Sequence, residues 1–523
     1  MNRTANFILT LIFSVFFVPA CGSEPDNSPR SEWVYYDKNG KLEYKKDERG
    51  NRIMDFSYAG YMGGGVALPD VPVRVTVQPP DSPQTDCTAL IQDAIDKVSE
   101  MPQDENGFRG AVLLAPGKYP CSQTITISAD GVVLRGSGKT ADGSVIVMSG
   151  EKHTAIVLSN RTRQRTGNRT DNAQEAEKTV KITDSFVPAG SVSFKVADAS
   201  GFKQGDRVEI RKPVTGKWIE YMQMHDLVRD GKPQTWIREG TLLSVERRIA
   251  SIKGNTVTLD VPLVDSYDSE YTGDDTTMKL ANNVNWLRQA GLENLRIESP
   301  PQAVNHTVAL YYGVRLTGED CWLRDLDLIE TMESVGFGGR RLTALRVAVV
   351  RKALHEGSSK PAEFAPNAGQ LLLDRCSVEG DNIWFVAVGG GQTGPIVLLN
   401  CTFTGNGRIE GHQRWSTGVL LDNCSAPDGG MDFKNRGSMG SGHGWGTAWC
   451  VAWNCEAKDY VNQIPPGTYN WVIGSKGKST LLPRPWSGPN LPEGIFDSHG
   501  VNVVPQSLYL AQLEERLGII VND

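Results

Sequence analysis

GAVLLAPGKYPCSQTITISADGVVLRGSGKTADGSVIVM, residues 110–148, is a run of short aliphatic segments cut by Gly, Pro and Asp. The segments are too short for helices and are bounded by turn formers, so they read as strands. Just ahead, DCTALIQDAIDKV places Leu90, Ile91, Ala94, Ile95 and Val98 at helical spacing, with Asp86 or Thr88 available as a cap. One short amphipathic helix therefore leads into many short strands.

The same texture returns from Gly291. GLENLRIES, CWLRDLDLIE, LTALRVAVV, LLLDRCSVEGD, IVLLNCTFTGN, VLLDNCSAPDG and CVAWNCEAKDY align by eye, with Leu295, Leu326, Leu345, Cys376, Cys401, Cys424 and Cys455 as the shared inward position. The spacing between these positions varies while the strand pattern persists. That irregularity suits a stacked coil with variable loops better than a leucine-rich repeat, which keeps a stricter period.

The order of TALIQDAID, GAVLLAPGKY, TITI and GVVLRGSGK resembles the opening of the pectate-lyase-like superfamily of single-stranded right-handed parallel β-helices. In that superfamily the helix closes the open end of the solenoid, as a terminal unit must. The resemblance covers about sixty residues and implies an all-β fold: a right-handed parallel β-helix with an N-terminal capping helix. Residues 1–21 read as a leader, 22–80 as a tether and covering segment, and 81–150 as the start of the coil. SVSFKVADASGFKQGDRVEIRKPVTGKWI interrupts the repeat and makes 151–281 an inserted β-subdomain. The main turns occupy 282–475. Residues 476–523 hold a linker and a C-terminal capping helix, VPQSLYLAQLEERLG, started by Ser507. Capped ends protect the sheet edges, so a monomer is expected.

The formal charge of −7 argues against nucleic acid as the main partner. Arg3, an apolar run to Val18 and Pro-Ala-Cys form a leader too short to span a membrane as an ordinary helix. Its end resembles a bacterial lipobox, which implies lipidation at Cys21 and membrane contact through that anchor alone. The acidic segment that follows resembles the export signals of Bacteroidetes surface lipoproteins. The expected location is extracytoplasmic: an outer-membrane or cell-surface lipoprotein, otherwise periplasmic or secreted. In that oxidising setting Cys87 and Cys121 could be paired or free. Cys376, Cys401, Cys424 and Cys455 instead read as an interior stack, because their spacing contains no CxxC pair.

Chemistry concentrates between Glu410 and Trp445. Strand alternation puts His412, Arg414 and Ser416 on one face of a first strand, and Asp432, Lys434 and Arg436 on one face of a second, beside Asn435. SMGSGHGWG adds His443 and Trp445 on a glycine loop, and Trp415 offers a second plane for a sugar ring. Asp381 and Trp384, with Glu333 and Arg340, could extend the groove. A cationic wall of this kind suits β-elimination from a uronic-acid polymer, an acidic polysaccharide. Arg414 and Arg436 would neutralise the substrate carboxylate. Lys434, its pKa lowered by the two arginines, is the leading base and His412 the competing one. His443 would protonate the leaving oxygen. A glycoside hydrolase using Asp432 with Glu410, Asp381 or Glu333 is the first alternative, and a non-catalytic glycan-binding lipoprotein the second. No metal site or cofactor is predicted. Superfamily members often use calcium, so Ca2+ stays open, although carboxylates here are sparser than hard-cation sites need.

Overall fold

A computed structural model of the chain describes residues 29–160, 178–282, 284–302, 309–353, 360–482 and 491–519. The leader and Cys21 lie outside the described residues. The chain coils as a right-handed parallel β-helix whose turns contribute to three ladders of parallel strands. The first runs from Val73–Val77 through Gly110–Leu114 and Val132–Arg135 to Val451–Trp453, Trp471–Ile473 and Ile495–Asp497. The second begins at Gly117–Cys121, and the third at Ile125–Ile127. The helix Thr88–Ser99 buries Ile91, Ala94, Ile95 and Val98 in the same core as the first strands, while Leu90 stays exposed. Asp86 receives the Thr88 N–H at its start.

The corner between the first and second ladders explains the repeat. Asn294, Asp325, Arg346, Arg375, Asn400, Asn423 and Asn454 all sit there with φ between 51° and 55°. This left-handed region is one that Asn and Asp tolerate better than other side-chain-bearing residues. The next residue turns inward: Leu295, Leu326, Val347, Cys376, Cys401, Cys424 and Cys455. One register differs from the sequence alignment, since Leu326 pairs with Val347 and Leu345 pairs with Arg324. Cys376, Cys401, Cys424 and Cys455 form the interior stack, each thiol donating back to a carbonyl of the preceding turn. Their acceptors are Ala344, Leu373, Leu398 and Leu421, at 3.2–3.4 Å. Cys87 and Cys121 are free thiols, buried beneath the capping helix and not paired.

The insertion is a six-stranded antiparallel sheet in the order Thr179–Lys181, Thr277–Leu280, Arg207–Pro213, Leu242–Lys253, Thr256–Leu259, Ser193–Lys195. It has its own core around Phe194, Val208, Ile210 and Met278. Asp265 fastens it to the coil. One carboxylate oxygen accepts from Lys212 Nζ at 2.8 Å and Trp415 Nε1 at 2.9 Å, and the other from Trp449 Nε1 at 2.9 Å. Lys212, itself buried, sits over the Trp218 ring at 4.9 Å. The C-terminal helix Leu508–Leu517 lies along the flank of the first ladder. Ser507 caps it, and Asp422 Oδ2 receives the Ser507 hydroxyl and the Tyr509 N–H.

Asp265→Ala would orphan two indole N–H groups and leave a buried ammonium unpaired. We expect a loss of about 3–5 kcal/mol, as for other half-broken buried pairs, read as a lower urea midpoint, and a smaller loss for Asp265→Asn. An unchanged midpoint for Asp265→Ala would contradict this role.

Candidate functional site

The third ladder carries the candidate site. Trp384–Val388, Arg408–Gly411, the end of Ser425–Phe433 and Glu456–Asn462 lie on successive turns. Val386, Ile409, Met431 and Tyr460 point into the core. Strand alternation therefore turns Ala387, Glu410, Asp432 and Val461 outward. Glu410 pairs directly with Asp432, so two carboxylates stack on adjacent rungs. In the neighbouring row Trp384, Arg408, Gly430 and Asp459 align. The glycine matters here, because a Cβ at 430 would collide with the Arg408 guanidinium lying over it.

Cations close over the carboxylates. Arg408 holds both Asp432 oxygens through Nε and Nη2, and its Nη1 reaches Asp459 at 2.7 Å. Lys434 Nζ lies 2.5 Å from Asp432 and 3.7 Å from Glu410. Arg436 Nη1 donates to Glu410 Oε1 and to the His412 carbonyl, both at 2.9 Å. His412 Nδ1 lies 2.6 Å from Glu410 Oε1. Burial pushes the Asp432 carboxyl up, but Lys434 and Arg408 outweigh it and hold the group below its ordinary range. Around the cluster, Trp384 stands edge-on to His412 at 5.8 Å, with Arg436 and Lys360 over its ring at 5.4 and 5.5 Å. The His443 ring closes the other side, 4.9 Å from His412.

The structure thus brings together His412, Asp432, Lys434, Arg436, His443 and Trp384. It places the other candidates elsewhere. The first strand ends at Gly411 and the next begins at Ser416. Arg414 and Trp415 between them have φ of 50° and 67°, so this corner does not alternate as a strand would. Arg414 is spent on the Trp236 carbonyl, Gln413 and Ser441. Trp415 and Trp445 are buried, their N–H groups bound to Asp265 and the Met222 carbonyl, so neither offers a plane to a sugar. Asn435 is buried against Gly437 and Met224. Arg340 bridges Glu319 and Glu246 at the junction with the insertion. Glu333 pairs with Arg315, and Asp381 accepts the Asn406 N–H in a turn.

Two expected roles change with these positions. Lys434 is flanked by two carboxylates as well as by Arg408, with which it shares Asp432 Oδ2, so the arginine-only setting that made it the leading base is not the one found. Burial, then Arg436, His412, Arg414 and Arg229, lower the His443 pKa to about 3. A ring neutral at pH 7 keeps one weakly acidic N–H and is a poor proton donor to a leaving group. Arg408 and Lys360 enter the site, and Glu410, named from the sequence only as a carboxylate of the hydrolase alternative, stands at its centre. Arg408 and Glu410 were within reach of sequence reading, since 408, 410 and 412 share one face of a strand. Among the described residues no three His, Cys, Asp or Glu side chains gather as metal ligands. The donor set does not suit a hard cation either, because both stacked carboxylates already hold Arg or Lys.

No protein-family model matches the sequence, and no curated protein matches it. Among solved structures the chain is similar to the gp54 tailspike of Acinetobacter baumannii bacteriophage AP22, a complex with A. baumannii capsular saccharide. The identity is 13% and the TM-score 0.33, over 76% of this chain and 62% of that one. It is also similar to the Pseudomonas phage phi297 tailspike gp61, with 11% identity, TM-score 0.35 and coverage of 75% and 67%. A third likeness is to the A-module of the Azotobacter vinelandii mannuronan C-5 epimerase AlgE4, with 11% identity, TM-score 0.22 and coverage of 76% and 92%. The chain spans about 62% of the length of the first of these. Likenesses of this size carry no argument about chemistry, which rests on the residues themselves.

His443 yields a pH test. Its folded pKa of about 3 lies below the ordinary 6.5, so between those values the unfolded chain binds the extra proton. Stability at this group is full above pH 6.5 and is lost as pH falls toward 3. NMR should show the His443 ring unchanged from neutral pH down to about 4, and His443→Gln should lose less stability than wild type over that range. A ring titrating near 6.5 would contradict the buried cationic setting.

Proposed function

We propose that the protein is an extracytoplasmic, polysaccharide-active enzyme, and specifically a lyase that cleaves a uronic-acid-containing glycan by β-elimination at the Glu410 and Asp432 rungs. One observation carries the reading. The Glu410 and Asp432 side chains have 0% exposure, whereas Arg408, His412, Lys434 and Arg436 above them keep 21%, 27%, 16% and 10%. The surface offered to a ligand is therefore cationic with an imidazole at its centre, and the carboxylates form the layer beneath. The leader ending at Cys21 supports a cell-surface or otherwise extracytoplasmic setting.

The elimination then divides among these groups. A uronate carboxylate docks on the exposed edge of Arg436, which draws charge from the α-carbon and makes its hydrogen acidic. His412 Nε2 accepts that proton. The electron pair forms the carbon–carbon double bond as the bond to the leaving oxygen breaks. Lys434 has three N–H donors, two of them facing Asp432 and Glu410, and the third is left to meet the leaving oxygen. Trp384 supplies an apolar plane beside His412. Hydrolysis by the carboxylate pair fits less well, because both side chains lack exposure and Asp432 is held below the range of a general acid.

On a panel of uronic-acid glycans, His412→Ala should lower turnover by roughly 10²–10⁴-fold, the usual weight of a general base. Lys434→Ala and Arg436→Ala should each lower kcat and raise KM, with the circular dichroism spectrum retained. Full activity in all three would place the site elsewhere, and glycan binding without turnover in wild type would make the protein a binding module.

A further inference from the structure

We infer that Glu410 is a positioning residue for His412, fixing the tautomer in which Nδ1 carries the hydrogen and Nε2 is free to accept one. The inference rests on the lyase reading for its catalytic consequence but not for its geometry. A carboxylate only accepts hydrogen bonds, so a contact of 2.6 Å between Glu410 Oε1 and His412 Nδ1 requires the hydrogen on Nδ1. Arg436 Nη1 is 2.8 Å from the same nitrogen, but its donors are already directed to Glu410 Oε1 and the His412 carbonyl at 2.9 Å. It lies 3.2 Å from Nε2, the longer of its two approaches to the ring. The arginine therefore locks the ring plane while the glutamate sets the proton.

Glu410 is built to hold that position. Its side chain has 0% exposure, its backbone is paired to Ala387 on one side and Asp432 on the other, and its Oε2 has no hydrogen-bond partner, with Lys434 at 3.7 Å. As the substrate C–H bond breaks and the N–H bond forms at Nε2, the ring becomes an imidazolium. The adjacent carboxylate compensates the new charge without moving, which is electrostatic preorganisation. The freed electron pair makes the double bond, and the departing oxygen takes its proton from Lys434 or water. Glutamine, the neutral acceptor of the same length, would preserve the tautomer at this position and lose the charge.

The test reads the tautomer directly, by ¹⁵N NMR of the His412 ring in the full-length protein without substrate. Wild type should show a protonated Nδ1 and a bare Nε2. Glu410→Gln keeps an acceptor oxygen and should retain that pattern. Glu410→Leu removes it and should shift the ring toward the Nε2–H form, with turnover falling at least ~10²-fold, as for other wrongly protonated catalytic histidines, and less in Glu410→Gln. A wild-type ring protonated at Nε2, or a Glu410→Leu ring unchanged from wild type, would overturn the assignment. If Glu410→Leu does not fold, the wild-type and Glu410→Gln spectra still decide it. Should the tautomer behave as stated while wild type forms no unsaturated product, the lyase reading falls and the positioning contact stands.

Discussion

Parallel coiling sets like positions of successive turns one strand spacing apart, about 4.8 Å, and what is stacked at those positions determines the rest of this protein. Inside, the spacing is met with thiols and aliphatic groups, each Cys Sγ turned to the carbonyl of the turn before. Outside, the same spacing puts Glu410 against Asp432. Two unit charges at that distance repel by about 3 kcal/mol at an effective dielectric of ~20. The carboxylates coexist because Arg408, Lys434 and Arg436 are threaded between and above them. A structural need of the coil thereby assembles a dense polar layer whose exposed edge is cationic. We read the site as a use made of that necessity.

The fold was legible in the sequence because the coil writes itself in short aliphatic runs and in the Asn-Cys corners. The Asn before Cys401, Cys424 and Cys455 marks a left-handed residue, and the Cys after it marks the core. Where Arg346 replaces that Asn the marker is missing, and the eye settles on Leu345 in place of Val347. The alignment of the two site strands was harder for a similar reason. Glu410 lies one residue further from Cys401 than Asp432 does from Cys424, so counting from the cysteines alone does not show that the two carboxylates are level.

The site was half legible. Alternation gathers His412 with Asp432, Lys434 and Arg436, since the side-chain sidedness carries a few residues past the strand ends at Gly411 and Phe433. It fails at Arg414 and Trp415, whose left-handed backbones send their side chains to the insertion. No local pattern announces that Asp265, some 150 residues away, will claim the Trp415 indole. Charge reading was incomplete at Lys434, because it weighed the arginines and left out the pairing with Asp432 two residues earlier and with Glu410, which the ladder adds from the turn alongside. The same holds for His443, a candidate acid by residue type and a neutral ring once burial and four neighbouring groups are in place.

The central claim is that the cationic edge around His412 removes a proton from carbon and does not add water across a glycosidic bond. The most direct measurement follows wild-type protein acting on uronic-acid glycans by ultraviolet absorbance of unsaturated sugar and, in parallel, by the appearance of reducing ends. The account predicts one unsaturated residue for every new reducing end. Reducing ends that accumulate with no absorbance would contradict it.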